Sequence, residues 1–154
     1  MQTANYSTEI NTGKTANEVY TAINNVAGWW TENFEGSAVK VNDEFTLTFG
    51  ETFIKLRVIE LVTNYTVAWL VTDCYKHFLN NKTEWIGTTI RFQIANNNNK
   101  GTKLSFTHEG LVSPLECYSI CSDAWNGYLH GSLKKLIDTG TGTPDKKEQH
   151  QAAI

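Results

Sequence analysis

The chain has 154 residues, a formal charge of −3, 40% hydrophobic residues and five tryptophans. That is enough chain for one domain burying about two-thirds of its unfolded surface; the aromatic content and low net charge exclude a disordered chain, and the acidic balance argues against a nucleic-acid surface, which needs a basic field. No apolar run approaches the ~20 residues that span a bilayer and Met1–Glu9 carries no signal-peptide pattern, so a soluble, cytoplasmic protein is expected.

In chain order, Tyr6–Asn11 alternates and reads as a first strand. Thr15-Ala16-Asn17-Glu18 is a capping box, with Thr15 as N-cap and Glu18 three residues on. Val19, Tyr20, Ile23 and Val26 then recur at helical spacing. Gly28 ends that helix, and Trp29-Trp30 begins a second short one. Adjacent positions do not face inward equally, so one indole is expected in the core and the other over an opening.

Glu44–Phe49 alternates with Phe45, Leu47 and Phe49 on one face, and Thr52–Leu61 returns with Ile54, Leu56 and Val58 inward. Thr66–Thr72 follows with Val67, Trp69 and Val71 on one side, and Asp73–Lys82 reads as a loop. Trp85–Ala95 is expected as a strand with Ile86, Thr88, Ile90, Phe92 and Ile94 on one face. The polar run Asn96–Gly101 makes a hairpin tip. Thr102–Glu109 carries Leu104, Phe106 and His108 on its inner face.

Gly110 and Pro114 bracket the passage into a long amphipathic helix, Leu115 to Ile137, whose apolar positions recur at three and four residues; Gly140 stops it. Residues 1–142 are expected to form the domain and residues 143–154 a disordered polar tail. Cys74, Cys117 and Cys121 are an odd number without an export signal, so reduced packing thiols are expected. With no CxxC pair or histidine cluster, no metal site and no cofactor are expected.

Consecutive hairpins give an antiparallel sheet with one face to cover, and the C-terminal helix is the one element long enough to cover it. The expected fold class is α+β of the helix-grip type: a curved six- to seven-stranded antiparallel sheet around a long C-terminal helix, with two short helices after the first strand.

Three segments carry a resemblance. Thr83-Glu84-Trp85-Ile86-Gly87-Thr88, the run Gly101 to Leu111 around His108, and the helix with Ala124-Trp125 and Ser132-Leu133 resemble the AHSA1 branch of the START-like (SRPBCC, Bet v 1-like) superfamily, named for the activators of the Hsp90 ATPase. The likeness runs from about Tyr6 to Gly142. It implies a hydrophobic cavity between sheet and final helix. Members of the superfamily hold lipids, sterols, hormones or polyketide-like molecules, and some are cyclases or hydrolases. It carries over no catalytic residue.

The candidate cavity-lining residues are Trp29, Trp30, Trp69, Tyr75, His108, Tyr118, Cys121 and Trp125. An inward imidazole at His108 either meets a ligand's polar group or is satisfied structurally at the strand end. Indoles suit an apolar pocket that needs a few oriented donors, and equally suit a filled core. Tyr75, His77 and Phe78 lie in a loop placed to gate the cavity, and a Cys121–His108 nucleophilic pair across it is conceivable. The expected partner is an apolar or amphipathic small molecule; an Hsp90-type chaperone and a cyclase or hydrolase reaction are the alternatives. The oligomeric state stays open between monomer and homodimer.

Overall fold

The computed structural model describes residues 5–97 and 100–146. Seven antiparallel strands form one sheet in the order β1-β7-β6-β5-β4-β3-β2. They are β1 (Asn5–Thr12), β2 (Phe34–Gly36), β3 (Glu44–Phe49), β4 (Thr52–Val62), β5 (Thr66–Tyr75), β6 (Thr89–Asn96) and β7 (Thr102–Val112). Helices α1 (Ala16–Asn24) and α2 (Val26–Trp29) follow β1. The C-terminal helix runs as α3 (Tyr118–Asn126), a π-helical stretch (Gly127–Leu133) and α4 (Lys134–Thr139).

Local chemistry explains these elements. The Thr15 hydroxyl accepts from the Glu18 amide while the Glu18 carboxylate accepts from the Thr15 amide, so the capping box closes on itself and starts α1. In the sheet Trp69 lies opposite Val58 on one side and Ile90 on the other, which stacks the inward residues of β4, β5 and β6 in one row. Along the C-terminal helix Cys121, Trp125, Leu129, Ser132, Leu133 and Ile137 are buried against that face. The π-helical stretch contains Gly127 and Gly131, and it keeps this stripe on the sheet through more than five turns' worth of chain.

The boundaries differ from the sequence reading in four places. The helix begins at Tyr118, because the Pro114 region is turn. The strand expected from Trp85 begins at Thr89; residues 83–87 are turns, so Trp85 is buried and Ile86 is exposed. Residues 143–146, expected in the disordered tail, are paired with the body at Thr143 and Asp145. The Asp145 amide donates to the Trp30 carbonyl and its own carbonyl accepts from Glu32, while the Thr143 amide donates to buried Ser132. The rest of the tail, residues 147–154, and the hairpin-tip residues 98 and 99 lie outside the described residues. Finally, Cys117 and Cys121 are joined as a disulfide, with Cα atoms 5.4 Å apart, instead of packing as separate thiols. One helical turn brings two cysteines into that range. Cys74 stays a free, buried thiol.

Among the described residues no helix is long and apolar enough to cross a membrane.

Gly110 interrupts β7 at φ +105°, and a Cβ there would lie 2.7 Å from the Thr88 methyl. Strain and overlap act together, so Gly110→Ala is expected to cost about 1–3 kcal/mol, read as a lowered urea midpoint.

Candidate functional site

A β-bulge decides which residues of β5 face inward. Val67, Trp69 and Val71 follow strict alternation, but the register with β4 slips between Lys55 and Leu56, where Asp73 and Val71 are the respective partners. The extra residue shifts the phase by one. Beyond it Cys74 and Lys76 point into the fold, and Tyr75 points out, 38% exposed. Lys76 is only 6% exposed.

The segment after Lys76 folds back and is tied down. The Lys76 amide donates to the Lys82 carbonyl, and Lys82 Nζ donates to the carbonyls of His77 and Leu79. Glu116 accepts from the amides of Asn80 and Asn81, while Glu84 accepts from those of Glu116 and Cys117 at the start of the C-terminal helix. Two carboxylates thus lock loop and helix to each other. This loop forms one wall of the site described next.

Between that wall, the helix and the ends of β3 and β4 lies a cavity of about 280 Å³. Trp30, Trp85 and Trp125 form its aromatic walls, with Phe49 and Ile54 from the sheet, Cys121 from the helix, and Phe78, Ile120 and Ala124 at its exposed rim. Two charged side chains line it, Lys76 and Asp145. Asp145 is exposed and accepts from Tyr128 Oη at 2.7 Å. Burial and that carboxylate together raise the Tyr128 pKa.

Lys76 Nζ stands 4.0 Å over the Trp85 ring and 5.2 Å from the Phe78 centroid. Ring faces attract an ammonium but cannot take its three hydrogen bonds. Among the described residues nothing else pairs with it. Burial pushes its pKa down to about 8, with weak opposing pulls from Cys74 and Glu84.

His108 is fully buried and stands behind this wall. Trp125 Nε1–H donates to His108 Nδ1 at 3.1 Å, and His108 Nε2 lies 2.9 Å from Thr88 Oγ1. The Thr88 hydroxyl spends its proton on the Trp85 carbonyl at 2.7 Å. Indole N–H is only a donor, so Nδ1 must be bare; the Thr88 oxygen is left as acceptor, so Nε2 must carry the hydrogen. Both constraints select one neutral tautomer. Burial, and secondarily Lys76, push the His108 pKa down to about 3.

The eight sequence candidates therefore divide. Trp30, Cys121 and Trp125 line the cavity. Trp29 and Trp30 are both buried and stack at 5.5 Å and 14° as one block. Trp29 meets Phe92 on the closed side, and Trp30 meets Phe49, Trp125 and Tyr128 on the cavity side. Trp69 is buried in the core against Trp30, Phe45 and Phe92. Tyr75 faces out and Tyr118 packs half-buried outside the lining. His108 does not line the cavity, and with Cys121 paired to Cys117 the Cys121–His108 nucleophilic pair is not formed. Lys76 and Trp85 were missed. Trp85 sits in the family-like motif but reads as strand, and only the bulge turns Lys76 inward.

No protein-family model matches the sequence, and no curated protein is similar to it. Solved structures are similar. The Aha1 dimer from Colwellia psychrerythraea matches at 25% identity and TM-score 0.72, over 90% of this chain and 98% of that one. A protein from Mesorhizobium loti matches at 14% identity and TM-score 0.70, over 86% and 95%. DynU16, a putative protein of the dynemicin biosynthetic locus, matches at 14% identity and TM-score 0.64, over 92% of this chain and 50% of its own. The likeness carried by the three sequence segments is thus a likeness of the whole fold, a helix-grip domain of the Aha1 type.

Two measurements follow from the buried groups. The folded His108 pKa lies below the ordinary 6.5, so the unfolded chain binds the extra proton and stability falls as pH drops from about 6.5 toward 3. Urea unfolding is expected to show a loss of about 2 kcal/mol between pH 7 and pH 5, largely absent in His108→Gln. Lys76 is a cation with a lowered pKa, so its burial penalises folding below pH 8 and the penalty fades between pH 8 and 10.5. Lys76→Met, which keeps the stem, is expected to raise unfolding free energy by roughly 3 kcal/mol at pH 7 and by little at pH 10.5.

Proposed function

We propose that this chain is a binding module for a small apolar or amphipathic molecule, held in the cavity between the C-terminal helix and the sheet. The observation that carries this reading is the space itself. The core is otherwise close-packed around stacked indoles, yet about 280 Å³ stays open beside Trp30 and Trp125. An apolar-walled hollow with a few polar groups is the usual form of a small-molecule site, and this volume lies just below the ~300–1,000 Å³ of drug-sized ligands. A guest of one or two rings fits.

Thermal unfolding with indole as probe tests it. Ligand at about 100 times its Kd stabilises a fold by about 2.7 kcal/mol, which for a chain of this length shifts the midpoint by about 5–10 °C. That shift is expected for the wild type. It should vanish in Ala124→Trp, whose new ring occupies the cavity, while the unliganded midpoint stays within a few degrees. A flat wild-type response, or an equal shift in both proteins, refutes the assignment.

A second reading is favoured by the likeness to the Colwellia psychrerythraea Aha1 structure: contact with an Hsp90-type chaperone. Chaperone ATPase turnover that rises with added protein supports it, and unchanged turnover at saturation removes it. The enzymatic alternative has lost its imidazole, since His108 is sealed behind Trp85 and Trp125.

A further inference from the structure

We propose that the cavity selects a monoanion, a small aromatic or aliphatic carboxylic acid, whose carboxylate meets Lys76 Nζ while its apolar body lies against Trp30 and Trp125. This deepens the binding reading and rests on it. The starting point is a lysine only 6% exposed whose ammonium faces the hollow with no hydrogen-bond or ion-pair partner among the described residues. Water left in such a cavity would solvate it poorly, and a carboxylate would supply both charge and hydrogen-bond acceptors.

The surrounding protein does not supply them. Glu84 is the carboxylate that pulls on Lys76, but its two oxygens accept from the Glu116 and Cys117 amides at the helix start. Glu116 is held by the Asn80 and Asn81 amides. Asp145, at the rim, is bonded to Tyr128. The neighbouring histidine is neutral, with both ring nitrogens used. Cys74 is a thiol whose pKa is raised by burial. Among the described residues none completes Lys76.

The same inventory narrows the charge. Phosphate-type dianions are commonly held by several cations, a guanidinium fork or a free helix N-terminus. Here one ammonium lines the cavity wall, a carboxylate, Asp145, stands at its exposed rim, and Glu84 already caps the adjacent helix start, so a second negative charge would meet no second cation. A single negative charge matches.

Calorimetry on the full chain at pH 7 with two probes of one shape, 2-naphthoate and the uncharged 2-naphthamide, decides it. Wild type is expected to bind the acid at least tenfold more tightly than the amide. In Lys76→Met the acid should weaken at least tenfold and the amide stay within threefold. Equal affinities in the wild type, or undiminished acid binding by Lys76→Met, overturn the proposal. If indole binds but neither naphthyl compound does, the anion assignment fails and the cavity reading stands; if indole also fails to bind, both fall.

Discussion

A chain of neutral hydrogen bonds from Trp125 through His108 and Thr88 to the Trp85 carbonyl holds this site together. It joins the C-terminal helix, strand β7, the start of β6 and the preceding turns, each through a group with no freedom to reverse its role. Buried polar groups are costly unless their donors and acceptors are used; Trp125 Nε1, both His108 nitrogens and the Thr88 hydroxyl all are, whereas Trp85 Nε1 is buried without a partner among the described residues. The two indoles that the chain orients, Trp85 and Trp125, stack 6.0 Å apart at 6° and form one wall of the cavity. A structural histidine therefore shapes the site without entering it.

Lys76 follows the opposite electrical logic a short distance away. His108 is buried, neutral and saturated; Lys76 is buried and bears a charge at neutral pH with nothing but ring faces beneath it. The ammonium is one reason the imidazole resists a proton, second to burial. A fold selected for stability alone would place methionine there. Retaining an unpaired cation under these conditions makes sense when a ligand completes it.

Much of this architecture was legible from the residues. The capping box at Thr15 and Glu18, the period-two faces of β3, β4 and β7, and the three-and-four spacing from Cys121 to Ile137 are each local signals that tertiary packing reinforces. The site was less so. One inserted residue in β5 exchanges the facing of Tyr75 and Lys76, and a bulge leaves no mark on the hydrophobic pattern when the residue turned inward is itself charged. The turns at residues 83–87 put Trp85 inward where alternation favoured Ile86. Trp29 and Trp30 are buried together because stacking lets two neighbours share one depth, which counting faces does not anticipate. Asp145 is held by backbone pairing to Trp30 and Glu32, and the polar composition around it hides this.

All of this turns on whether the ammonium at the cavity wall is truly removed from water. Proton-coupled NMR of the Lys76 side chain, assigned against Lys76→Met and followed from pH 6 to pH 11, measures that directly. The account predicts a midpoint near pH 8 in the unliganded protein. A midpoint at or above 10, the value of a lysine in free contact with solvent, would contradict it.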